Sequence, residues 1–272
     1  MRAPRSASRS TETDGRGSAS QNARSARLPG RYGQGVGSYL PRLPPERVER
    51  LRRWHDDASA ELHRLGAHDV DYLDLRLHVP EHVFAPTPLS DLLGRQVLAD
   101  VRPGHRVLDM GCGAGANALL AALITDDVVA VDVNPHAVAA TAANAERNGV
   151  ASRVHCFESD VFSHVDGDFD VIVIDPPFRW FAPRDLLERA CTDENYDMLR
   201  RFLTGVRGRL RVDGFVLLFF GTSGDVAYLD ELIDEGGLVN RTMAERVVHV
   251  RGEDTTYFVR RIEASPNSTG AR

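Results

Sequence analysis

The stretch "VLDMGCGAGANALLAA", residues 107–122, decides the fold. A continuous apolar run enters it, glycines stand at 111, 113 and 115, and an alanine- and leucine-rich helical run leaves it. Glycines at that junction let the backbone turn sharply and approach a ligand that side chains would obstruct. A glycine triplet alone is weak evidence, so its surroundings carry the reading.

Downstream, strand-like and helix-like runs alternate. "HRVLDMG" (105–111) reads as a strand, "ANALLAALI" (116–124) as a helix, "VVAVDV" (128–133) as a strand and "PHAVAATAANAERNG" (135–149) as a helix ending at glycine. "RVHCFESD" (153–160) and "FDVIVID" (169–175) are the next strands, and the helical "DENYDMLRRFLTGVRGRL" (193–210) precedes "GFVLLFFG" (214–221). Such repetition implies right-handed crossovers and a parallel sheet. Two strand-like runs around "RGED" in 241–264 predict a hairpin that brings an antiparallel strand to the sheet's edge. The expected fold is α/β and Rossmann-like, with a seven-stranded, mostly parallel sheet and ligands at the carboxyl ends of its strands.

Asp132 ends the second strand 21 residues after Gly111, where an acid can bind two ribose hydroxyls. The glycine spacing is GxGxG rather than GxGxxG, and Asp109 stands just before it. A carboxylate there repels a pyrophosphate but suits a cationic amino acid moiety, which favours S-adenosylmethionine over NAD.

Upstream, residues 1–45 are rich in Ser, Arg and Gly and read as a disordered leader. Val48, Leu51, Trp54, Ala58, Leu62 and Leu65 fall on one face of a helix, and "DYLDLRLHV" (71–79) alternates like a half-buried strand. The expected organisation is a cap of helix and strand over 46–85, a cofactor-binding domain over 86–264 and a flexible tail over 265–272. The leader carries eight arginines against Glu12 and Asp14, a balance of +6; the whole chain is −6, so the remainder is −12. An acidic body offers no track for a long polyanion, so a protein or small-molecule partner is favoured over nucleic acid. Cys112, Cys156 and Cys191 are widely spaced, which fits a reducing cytoplasm better than a disulfide framework. No run suits a membrane span or a signal peptide, and no metal is expected. "HVPEH" (78–82) has the H-x-x-E-H spacing of a zinc helix, but Pro80 and the extended flanks argue against that helix.

"DVIVIDPPFRW" (170–180) is the second distinctive segment. An acid followed by two prolines cannot continue a strand ladder, so this stiff end is suited to holding a ligand. With "VLDMGCGAG", "VVAVDVNPHAV", "ESDVF" and "DPPF" in this order, residues 82–262 resemble the class I S-adenosylmethionine-dependent methyltransferases. "HVFAPTPLSDLL" (82–93) ahead of the glycine loop is similar to HemK-type glutamine methyltransferases and other small-domain amino-methyltransferases, although Asp175 stands where those enzymes usually carry asparagine.

The resemblance implies roles. Asp109, Gly111, Gly113 and Gly115 would cradle the methionine part of the cofactor. Asp132 would hold the ribose and Val133 would lie against the adenine. Asp160 would accept from the adenine amino group, the Val161 N–H would donate to a ring nitrogen, and Thr87, within Phe84–Thr87, would close over the cofactor. Asp175 and the Pro176 carbonyl would accept N–H bonds from a planar nitrogen, Pro177 would stiffen the loop, and Phe178 would stack on the acceptor. Trp180, Phe181 and Arg184 are candidates for pocket lining or for ordinary packing. The implied function is N-methylation of an amide or amino nitrogen on a protein or small molecule, natural products included. An exocyclic amino group of an RNA or DNA base, carbon or oxygen methylation, and an inactive cofactor-binding partner protein are the alternatives.

Overall fold

The computed structural model describes residues 39–266. The core is a seven-stranded sheet with neighbours in the order β5-β4-β3-β6-β7-β9-β8. Its strands are β3 (Arg106–Met110), β4 (Asp127–Asp132), β5 (Val154–Glu158), β6 (Phe169–Ile174), β7 (Leu210–Gly221), β8 (Leu238–Val250) and β9 (Glu253–Ala264). The first five pair in parallel. β9 pairs antiparallel with β7 on one side and with β8 on the other, so the hairpin places β8 at the edge and the reversed strand one position inside it. The strand order reverses at β3, the topological switch point of an open α/β sheet.

Successive residues of the central strands point to opposite faces, and both faces are dry. Leu108, Ile172, Val216 and Leu218 pack on α6 (Asp197–Val206) and α7 (Val226–Glu235). Val107, Val171, Val173 and Leu217 pack on α2 (Asp91–Asp100) and α3 (Ala116–Ala122). Continuous apolar strands are what a doubly covered parallel sheet requires. α4 (Pro135–Arg147) completes the crossover between β4 and β5, capped by Asn134, whose side chain accepts from the His136 N–H at 3.0 Å.

Three details depart from expectation. "DYLDLRLHV" is a two-residue turn between two strands, β1 (His68–Tyr72) and β2 (Leu75–Val79), paired as a separate antiparallel ribbon. Leu73 sits in that turn at φ 49°, so the alternation continued across a reversal that carries neither glycine nor asparagine. The expected leader boundary at 45 also shifts: Tyr39 is buried, and its ring packs on Trp180, Tyr196 and Tyr228. Residues 1–38 and the tail beyond 266 lie outside the described residues.

The third departure concerns the cap helix α1 (Pro45–Leu65). Its apolar periodicity located it, but its buried stripe is Leu51, His55 and Ser59, while Leu65 is exposed. Polar residues occupy the stripe because they meet a buried acid. Glu188, only 2% exposed, accepts from Ser59 Oγ at 2.5 Å and from the Arg184 backbone N–H at 2.7 Å. Among the described residues, no helix is long and apolar enough to cross a membrane. α2, α7 and the short α5 (Leu186–Arg189) were not anticipated from the sequence.

Candidate functional site

The carboxyl ends of β3, β4 and β6 bring three acids together. Asp109 is buried in β3, and its Oδ2 accepts the Ala118 N–H in the first turn of α3 at 2.9 Å. Asp132 closes β4, with Oδ2 accepting from the Gly113 N–H at 3.0 Å and Oδ1 from the Asn134 N–H at 2.9 Å. The acid predicted to bind ribose therefore also pins the glycine loop. Asp175 follows the last residue of β6, and none of the described residues donates a hydrogen bond to its carboxylate.

Burial pushes the Asp109 carboxyl up to about 7, with Asp132 adding repulsion. Burial likewise raises Asp175 to about 7, with Asp109 adding repulsion, and it raises Asp132. Three acids raised by burial, with Asp132 opposing the ionisation of Asp109 and Asp109 that of Asp175, favour a cationic ligand over an anionic one.

The glycine loop leaves the space such a ligand needs. Gly111 and Gly113 have φ 78° and 54°, and a Cβ on Gly111 would meet nothing within 4 Å. Gly111 thus opens on free space just past the carboxyl end of β3. Gly115 is different: at φ 91°, a Cβ would come within 2.8 Å of Leu119 and 3.2 Å of the Thr141 backbone, so this glycine is needed for helix packing. Val133 is exposed at the end of β4, where a flat apolar surface could rest on it. The acids and the glycine loop fit S-adenosylmethionine, whose sulfonium and ammonium would face carboxylates.

Two of the other expected cofactor residues, Asp160 and Thr87, have partners within the protein. Asp160 is ion-paired to Arg201 at 3.0 Å, a partner the sequence did not signal. Val161 is buried at φ 53°, and its carbonyl accepts from Ser159 Oγ at 2.8 Å. Thr87 Oγ1 accepts from the Leu89 N–H at 3.2 Å, and the Thr87 N–H donates to Ser90 Oγ at 3.1 Å. Thr87 thus shapes the turn into α2. The Phe84–Thr87 segment does approach the glycine loop, because Phe84 O lies 3.8 Å from where a Gly113 Cβ would stand.

Beyond Asp175, the buried Pro176 and the half-buried Pro177 hold the loop, and Phe178 packs against Phe219, Phe220 and Tyr257. Tyr196 Oη donates to Phe178 O at 2.5 Å and accepts from the Asp225 N–H at 2.9 Å. Asp225 in turn accepts from Tyr39 Oη at 2.6 Å. A Cβ on Gly224 would clash with Phe178 O at 2.4 Å, so Gly224 permits this approach. Tyr72, from the β1–β2 ribbon, is buried, donates to Ser90 O at 2.6 Å and lies within the electrostatic field of Asp175. Neither tyrosine stands out in the sequence; the close approach of Tyr72 to α2 rests on Gly94, where a Cβ would strike Tyr72 Oη at 2.5 Å. Trp180 and Phe181 are buried, and Arg184 is an exposed side chain paired with Glu188 and Asp56. His78 lies in β2 bonded to Asp69 at 2.7 Å, and the chain turns at Pro80, so "HVPEH" forms no helix.

Fold, glycine loop and acids together define the class of S-adenosylmethionine-dependent methyltransferases. Residues 82–220 match the methyltransferase small domain family, and the chain belongs to it. It is 41% identical over 104 residues to a ribosomal RNA small subunit methyltransferase C of Chromohalobacter salexigens, which covers 36% of this chain and 30% of the relative. It is 32% identical over 132 residues to a release factor glutamine methyltransferase of Lactococcus lactis, covering 47% of this chain and 44% of the relative. A putative protein N5-glutamine methyltransferase of Methanocaldococcus jannaschii is 39% identical over 111 residues, covering 40% and 53%. The chain thus spans about half, or less, of these relatives' lengths. Among solved structures, a T. thermophilus 16S rRNA N2 methyltransferase in complex with AdoMet and guanosine aligns with TM-score 0.53 at 24% identity, over 73% of this chain and 50% of that one. A likeness at that identity establishes the shared fold.

Proposed function

We propose that this protein is an S-adenosylmethionine-dependent N-methyltransferase whose acceptor is a planar amide or amino nitrogen of a protein or small molecule. The observation that carries this reading is Asp175: a carboxyl group at the end of β6, without a hydrogen-bond donor among the described residues, held between a buried strand and two prolines beside the glycine loop. The bound cofactor supplies an electrophilic methyl on a positively charged sulfur. In this reading, Asp109 and Asp132 orient it through the strands that carry them, and Gly111 admits it.

Asp175 and the Pro176 carbonyl accept the N–H bonds of the acceptor, aligning its lone pair with the methyl, so that positioning supplies much of the rate. As the nitrogen forms its bond to the methyl it becomes cationic, and a carboxylate near pH 7 can take the released proton. The prolines fix the carbonyl, while Tyr196 and Asp225 brace the loop from behind.

Base methylation in RNA is the second reading, favoured by the likeness to ribosomal RNA methyltransferases. The acidic body supports the first reading over it. The test is methyl transfer from radiolabelled S-adenosylmethionine to a panel of glutamine-containing peptides, small amino and amide compounds and an rRNA fragment. Labelling of a peptide or small compound is expected; labelling of the rRNA fragment alone, with steep loss in salt, would overturn the choice of acceptor.

A further inference from the structure

Arg179 follows the Asp-Pro-Pro-Phe loop directly, and its environment is unusual for a cation. Its guanidinium lies 4.7 Å from the centroid of the Trp54 ring on the cap helix. Its Nε is shut off from solvent without an acceptor, and among the described residues no carboxylate lies within ion-pair distance of the side chain. The chain's surface arginines pair readily with acids, as Arg246 does with Asp91 and Arg153 with Asp126. A cation–π contact offsets only part of the cost of burying a charge. A half-buried guanidinium whose Nε lacks an acceptor and whose terminal nitrogens meet no carboxylate among the described residues is available to a ligand.

Three neighbours locate this cation on the acceptor side. Cys191 feels the fields of both Arg179 and Asp175. Tyr257 and Tyr196 lie in the surroundings of Arg179, and both touch Phe178, one by ring contact and one by hydrogen bond. A small cavity between α1 and the segment after the loop is lined by Arg179 together with His55, Ser59, Leu187, Glu188 and Cys191. Glu188, the acid in that wall, is ion-paired with Arg184 and accepts from Ser59 Oγ, which hold it at about 2. Burial and the neighbouring Arg179 keep His55 uncharged at neutral pH.

We propose that Arg179 is an acceptor-recognition residue that binds an oxyanion carried by the acceptor beside its methylated nitrogen. Resting on the methyl-transfer reading, this defines the substrate as bipolar: an N–H donor for Asp175 and a carboxylate or phosphate for a guanidinium four residues away. A planar guanidinium held on an aromatic face is suited to bidentate oxyanion binding, which a lysine could not reproduce.

The probe is the fluorescence of Trp54, which stacks on Arg179, with Trp54→Phe assigning the signal against Trp180. The full-length protein is titrated with glutarate, inorganic phosphate and the neutral isostere glutaramide at constant ionic strength. We expect a saturable response to at least one anion and none to the diamide. Saturation by glutarate alone names a carboxylate, and by phosphate alone a phosphate. Arg179→Met should weaken that response at least about tenfold, Arg179→Lys should not restore it, and the unliganded Arg179→Met protein should melt no lower than wild type. A response equal in Arg179→Met, a response to glutaramide, or no saturation with either anion overturns the proposal, as does a large loss of thermal stability in Arg179→Met, which marks a structural arginine. A parallel titration with S-adenosylmethionine separates the two readings. Cofactor binding without anion response sinks this inference alone, whereas anion response without cofactor binding sinks the methyltransferase reading.

Discussion

Asp132 and Asp175 end the two strands that flank β3, yet they are finished differently. Asp132 holds two backbone N–H groups and fixes the glycine loop. Asp175 holds none among the described residues, and its loop is braced further along, where Tyr196 donates to Phe178 O and the Phe178 ring packs on Phe219, Phe220 and Tyr257. The cofactor side is thus a closed set of internal hydrogen bonds, complete before any ligand arrives. The acceptor side keeps a carboxylate and a guanidinium unpaired. Internal satisfaction favours rigidity, while unpaired buried charge favours capture of a complementary ligand at some cost in stability.

The largest expected effect breaks the two sides apart. Asp175→Ala should lower methyl transfer by about 10²–10³-fold, the scale of losing one positioned electrostatic group, while S-adenosylmethionine affinity changes less than about threefold. A parallel loss of cofactor affinity, read by calorimetry, would show that the two sides are one site.

Tyr196→Phe should come next. It removes the donor to Phe178 O and strands the Asp225 N–H, at a cost of about 1–3 kcal/mol in unfolding free energy. It should also raise the acceptor KM more than it lowers cofactor affinity. Denaturant unfolding and steady-state kinetics check both, and an unchanged KM would detach the tyrosine from the acceptor loop.

The remaining expected effect is a pH slope. Asp109 and Asp175 stay protonated in the folded chain up to about pH 7, whereas the ordinary carboxyl value is 3.8. Between those values the folded state binds more protons than the unfolded one, so these groups make stability fall as pH rises. Glu188, depressed to about 2, loses its contribution only below the ordinary carboxylate range and leaves this window alone. Thermal unfolding at pH 5 and pH 8 should show the slope in the free protein. Saturating S-adenosylmethionine should flatten it, because a cation compensates the carboxylates. A slope that ligand leaves untouched would place the acids outside the cofactor site.

The cofactor side was legible in the sequence because it is built from local signals. Glycines at fixed spacing, an acid at a strand end and apolar runs of the right length are properties of short segments, and β3, β4, β6 and α4 follow them closely. The acceptor side depends on contacts between distant segments. Tyr39 meets Asp225, Tyr72 meets Gly94, and Ser59 meets Glu188. None of these pairs has a spacing to read. His55 and Ser59 were hidden because a helical periodicity counts apolar residues, and here polar ones fill the buried stripe. Arg179 follows the Asp-Pro-Pro-Phe motif directly, but its lack of an acid partner among the described residues emerges only from the three-dimensional placement of the surrounding acids.

Three burial-raised acids around an open glycine loop select a cationic nucleoside cofactor. Calorimetric titration of the wild-type protein and Asp132→Ala with S-adenosylmethionine, and separately with NAD, tests that selection most directly. The account predicts binding of S-adenosylmethionine alone, weakened in Asp132→Ala by about 1.5–3 kcal/mol, the value of hydrogen bonds to a charged group. Binding of NAD, or of neither ligand, would contradict it.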